Sequence, residues 1–240
     1  MHIPRRIAAF ALLAPLLLVA ACSGSSSGGK ARASIGPTAS TPAALPARTA
    51  LERKALVPGD VAGFTVAAGD AAGSAADVTA ADKRACQPLA DLLSGRPPAG
   101  ATETVPRALV PAGQKMPGAG VTVTLSSYGS GGAQKAVTAL RTALRTCAAG
   151  FKPVIGGVTG VPVAVAPRPA LKLGDDDLRF ALGFAAGGSG ARQDFVVLRT
   201  GSTVSVFRGA DVTLAKSFDV PAAVVTAQLK KLGAPLTKRR

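Results

Sequence analysis

The side chains able to carry chemistry are few. The 240 residues hold one histidine, three cysteines, one tyrosine and no tryptophan. Asp175-Asp176-Asp177 is the one acidic cluster. Calcium takes about six to eight oxygens from spacing that points them inward. Three adjacent carboxylates cannot all face one ion, so the cluster is expected to be a solvated turn before a strand at Leu178. Gly24-Ser25-Ser26-Ser27-Gly28 has the spacing of a nucleophile elbow, which needs a strand-to-helix turn and a base. It lies in a Ser/Gly stretch instead, as does the Ser-x-x-Lys match Ser27 to Lys30. Gly129 to Lys135 sits where a phosphate loop would, but that loop needs Gly before its Lys and Ser or Thr after it. Those positions hold Gln134 and Ala136. The segment is expected to be a plain turn into a helix, able at most to hold an anion weakly through backbone N–H groups. Paired carboxylates for glycan cleavage stay open as an alternative. The acids are mostly isolated, however, and Tyr128 is the one non-Phe aromatic available to stack a sugar.

The start of the chain bears on compartment. Arg5 and Arg6 precede Ile7 to Val19, a run without charge, broken by Pro15. That length suits a signal peptide and is too short to span a bilayer as a helix. Val19-Ala20-Ala21-Cys22 comes next, and it resembles the lipobox of bacterial lipoproteins. The resemblance implies cleavage after residue 21 and a diacylglyceryl group on Cys22. Two acyl chains give stable anchoring where one binds only reversibly. His2 would leave with the peptide, so the processed chain would have no histidine. Ser-His-Asp and Cys-His catalysis and a His-containing zinc site are then excluded. No cofactor or metal is expected.

Cys86 and Cys147 remain. Two thiols in an exported protein are expected to pair. Both fall on apolar helix faces, and closing that loop contributes about 4 kcal/mol in the chain-entropy model. A redox pair is disfavoured, because C-x-x-C spacing is absent.

The 28 lysines and arginines against 13 acids give a net charge of +15. Residues 22–54 are rich in Ser, Gly, Ala, Pro and Thr and are expected to form a flexible tether. Five basic residues there stand against Glu52. Lys230, Lys231, Lys238, Arg239 and Arg240 add five charges near the other end, so a short basic tail over 234–240 is expected. The basicity therefore sits mainly at the ends. It suits an anionic membrane or a polyanionic wall polymer. Nucleic acid is not expected as a partner, since one Tyr and scattered Phe make no stacking platform.

The elements that must position these residues lie in 55–233. Leu56 to Asp60 predicts a turn, and Gly63-Phe64-Thr65-Val66 a strand. Thr79-x-x-Asp82 matches a capping box, so a helix is expected to start there. Leu89, Leu92 and Leu93 share its inner face, and Pro88 should kink or restart it. Residues 101–110 alternate weakly as a strand, and 111–120 form a loop. Val121, Val123 and Leu125 alternate with Thr122, Thr124 and Ser126, a half-buried strand. Val137, Leu140, Leu144 and Cys147 give the strongest helix, ended by Gly150. Leu178 to Phe184, Phe195 to Leu198 and Val204 to Val206 predict an antiparallel meander, with a loop at Gly187 to Gly190 and a tight turn at Gly201-Ser202. Pro221 opens a last helix, with Val225, Leu229 and Leu232 inward and Gly233 as its stop. The order is mixed, so the class is α+β: one domain, a twisted antiparallel sheet with about three helices packed on it.

Cys86-Gln87-Pro88-Leu89-Ala90-Asp91-Leu92-Leu93, the strand-turn-helix from Val121 to Phe151, and the Val196 to Phe207 hairpin before a closing helix occur together. This set resembles exported actinobacterial lipoproteins related to the extracellular sensor domain of mycobacterial receptor Ser/Thr kinase H. The resemblance spans residues 55–233 and rests on cysteine placement and element order. It implies a ligand-binding cleft. That sensor domain carries two disulfides, where this chain can form one. The function expected is a lipid-anchored, non-catalytic binding or sensor-like module on the extracytoplasmic face of the cell membrane. Its ligand would be a small molecule or cell-wall fragment. The alternative is an adaptor that docks a membrane protein or wall component; a carboxylate-based hydrolase ranks third.

Overall fold

The computed structural model describes residues 48–69, 78–114, 118–184, 192–211, 213 and 216–236. Cys22, the serine motifs at 24–30, the rest of the leader and tether through residue 47, the Gly187 to Gly190 loop and residues 237–240 lie outside them.

The fold begins earlier than the tether boundary placed at residue 54. A one-turn helix α1 (Ala50–Arg53) is capped by the Thr49 hydroxyl, which accepts from the Glu52 N–H at 3.0 Å. Leu51 on it is buried. Strands β1 (Phe64–Ala68) and β2 (Val78–Ala81) come next. The capping-box expectation at Thr79 to Asp82 is corrected here. Val78–Ala81 pairs with a later strand, and Asp82 Oδ1 accepts from the Lys152 N–H at 2.8 Å, so its carboxylate serves strand pairing and not a cap. Helix α2 (Gln87–Leu93) starts after a 3-10 turn at Arg84–Cys86. Pro88 stands in its first turn, where a missing N–H costs nothing.

Beyond α2 lie β3 (Ala101–Pro111), β4 (Ala119–Tyr128) and α3 (Gly132–Thr146). The chain then makes β5 (Pro153–Ile155), β6 (Val158–Thr159), β7 (Val163–Arg168), β8 (Asp176–Phe184), β9 (Arg192–Thr200), β10 (Thr203–Asp211) and α4 (Ala222–Leu232). The main sheet runs β1-β3-β4-β10-β9-β8-β7, antiparallel at every pairing. Strands β2, β5 and β6 form a small second sheet. The α+β class and the β8-β9-β10 meander are as expected.

The helices divide between the two faces. One face packs α2 and α3 over Phe180, Phe195, Val197, Val204 and Val206. The Phe180 and Phe195 rings stack there at 5.1 Å. The other face packs α1 and α4 over Val121, Val123, Leu125, Val196, Leu198 and Phe207. The half-buried reading of β4 is therefore revised: Thr124 and Ser126 on its second face are buried too. Alternation reports polarity, and hydroxyls with partners can be buried as well as apolar groups; Ser126 Oγ meets Thr104 Oγ1 at 3.2 Å.

Candidate binding cleft

Cys86, entering α2, and Cys147, capping α3, form a disulfide with Cα atoms 5.9 Å apart. Both are buried in the α2/α3 core. This bond ties the two helices that roof one sheet face.

The remaining residues singled out by type come apart. Asp175 accepts from Arg199 and the Gly201 N–H, Asp176 pairs with Arg141, and Asp177 accepts from the Leu171 and Lys172 N–H groups. The cluster is not the solvated turn expected: β8 begins at Asp176, and Asp177 is buried. Adjacent residues of a strand point to opposite faces, so three neighbours find three different partners. Among the described residues no group of three or more His, Cys, Asp or Glu is placed to hold a metal. Tyr128 is buried, its hydroxyl donating to the Pro98 carbonyl at 2.8 Å, so it offers no face to a sugar. Burial pushes its hydroxyl up to about 12. Gly131 caps α3 in the left-handed region, and Gly129 to Gly132 is the expected turn.

The cleft that does gather chemistry lies on the α2/α3 face of the sheet, beyond the end of α2. Register places Arg208 of β10 opposite Thr122 of β4 and opposite Phe195 of β9. One narrow cavity there is lined by Leu92, Gly95, Pro97, Thr122, Thr124 and Arg208. A second, of about 140 Å³, is lined by Ala108, Val110, Gly120, Thr122, Arg208 and Ala210. Thr122 and Arg208 line both, so the two adjoin at these side chains as lobes of one cleft.

Arg208 is unlike the other arginines on strands. Arg107, Arg168, Arg179 and Arg199 each reach a carboxylate within 4 Å, and Arg192 is exposed. Arg96, at the cleft wall, is paired with Asp91. Arg208 is partly buried, and among the described residues its one bond is from Nη1 to the Leu93 carbonyl at 3.1 Å. That bond caps the carbonyl end of α2 and uses one of five N–H donors. Burial pushes the guanidinium below its ordinary value. It still carries its charge at neutral pH. Gln193 stands two residues before Phe195 on the same face, and among the described residues its buried Oε1 has no hydrogen-bond partner.

A roomier cavity, about 460 Å³, is an open trough between α4 and the Asp60 to Ala62 turn. Its carboxylate is already bonded to Lys231 at 2.7 Å, and Ala62, Ala222, Ala223 and Ala227 line much of it. It offers less chemistry than the Arg208 cleft. Arg208, Thr122 and Gln193 were not singled out from the sequence. The signal was a lone arginine in the alternating run Val204, Val206, Arg208. Comparison of the chain with known protein families finds no match, and neither does comparison with curated proteins.

Proposed function

We propose that this chain is a lipid-anchored binding module of the cell envelope, held at the extracytoplasmic face through Cys22 and without catalytic machinery of its own. The observation that carries the binding role is the Arg208 cleft, where a partly buried charge that meets no carboxylate among the described residues lines two small cavities. The lipobox at residues 19–22 and the buried Cys86–Cys147 bond support an exported setting. The resemblance to sensor-domain lipoproteins points the same way.

A paired mass spectrum of protein extracted gently from its own membrane tests this. The denatured mass should exceed the cleaved chain by a diacylglyceryl group. The native spectrum should show a further bound mass that denaturation releases. A denatured mass without lipid sinks the anchor, and a native mass equal to the denatured one sinks the bound ligand.

One observation favours a second reading, an adaptor. Ile155, Val158 and Val161, on and just after the β5–β6 hairpin, are 44%, 70% and 46% exposed. Exposed aliphatics close in sequence suit a protein contact. Crosslinking from Val158 in intact cells should then capture one membrane protein.

A further inference from the structure

We infer that the Arg208 cleft takes a small oxyanion head, a carboxylate or a phosphate group, with Arg208 as its counter-ion. This rests on the binding-module reading and adds the chemical class of the ligand. A guanidinium out of water is costly unless an anion or several acceptors meet it. Four other strand arginines meet carboxylates of this chain; Arg208 meets one carbonyl. Its planar fork suits the two oxygens of a carboxylate or phosphate. Thr122, on the neighbouring strand and lining both lobes, adds a hydroxyl donor beside it.

The size of the lobes restricts the group attached to the head. The roomier one holds about 140 Å³ and is walled by Ala108, Val110, Ala210 and the backbone at Gly118 and Gly120. Drug-sized ligands fill roughly 300 Å³ or more. The ligand is therefore small, or only its head and first few carbons enter.

The test uses the full chain, exported with Cys22→Ser so that no lipid competes, and tracks backbone amide and Arg208 Nε–Hε signals by NMR. Hexanoate, hexyl phosphate and hexan-1-ol are titrated separately. Hexanoate or hexyl phosphate should shift Gly120, Thr122, Arg208 and Ala210, binding at least about tenfold tighter than hexan-1-ol. The tighter of the two acids identifies the head. Arg208→Met should remove the preference for the acids. If that variant does not fold, Ala108→Leu should narrow the lobe and weaken both acids while leaving the Arg208–Leu93 bond. Hexan-1-ol binding there as tightly as the acids would overturn the anion assignment and leave the binding cleft standing. Shifts confined to surface lysines, or none at these four residues with any probe, would overturn both.

Discussion

Asp194 is 1% exposed, yet it is an acid on a strand buried from both sides. It is held by the Val220 N–H at 3.0 Å and by Arg179 and Arg168, each at 3.4 Å, with Asp219 completing the group at the surface. Such a group tolerates loss of one member poorly, because the others are left charged in a poor solvent. Asp194→Asn should cost about 3 kcal/mol, read as a lower urea midpoint. Asp60 is the exposed counterpart. Burial pushes its carboxyl up, but the bonds from Lys231 and the Val57 N–H outweigh that and hold it below its usual 3.8. A folded value below the unfolded one stabilises above the unfolded value, and that stability is lost as pH falls through the folded value. The pair is a quarter exposed, so the effect stays under about 1 kcal/mol. Urea midpoints of the wild type and Asp60→Asn should differ by a constant amount from pH 7 to 5. The gap should start to close near pH 4 and vanish below it. A gap that persists at pH 2 would assign the effect to packing.

At the scale of elements, local pattern and pairing compete, and pairing won where the two disagreed. Helix α3 and strands β8 to β10 were legible because their periodicity extends over several turns or residue pairs. Strand β7 was not: Val163 to Arg168 is short, lies at the sheet edge and contains Pro167. The capping box misled because Asp82 satisfies a neighbouring strand, which no local reading can foresee. The crossing of the 218–220 segment over β10 was equally hidden. A Cβ at Gly209 would stand 2.6 Å from the Phe218 carbonyl and 3.0 Å from the Val220 nitrogen. Backbone cannot retreat there, since the Val220 N–H is held by Asp194. Gly209→Ala should therefore cost about 1–3 kcal/mol in denaturant unfolding. Gly129→Ala, with open space around its Cβ, should stay within about 0.5 kcal/mol.

Across the whole molecule, long-range pairing decides what the sequence can reveal. The disulfide was legible because two thiols leave one pairing. The cleft was not, since Arg208, Thr122 and Phe195 come from three strands that meet only through sheet register. The disulfide also allows a test at this scale. It closes a separation of 61 residues, for which the chain-entropy model gives about 4 kcal/mol. It belongs to the α2/α3 core, while the α1/α4 core holds its own buried set, including Phe207 and Leu229. The Cys86→Ala/Cys147→Ala double variant should therefore keep the far-ultraviolet spectrum of the fold while losing about 2–4 kcal/mol. Its urea dependence should steepen, because the unlinked unfolded chain exposes more surface than the cross-linked one. Stability lost with an unchanged slope would place the effect in the native packing of Cys86 and Cys147 rather than in the unfolded chain. The roof of the Arg208 cleft is formed partly by α2, so probe binding should weaken in the double variant more than in Asp60→Asn, whose ion pair lies on the opposite face.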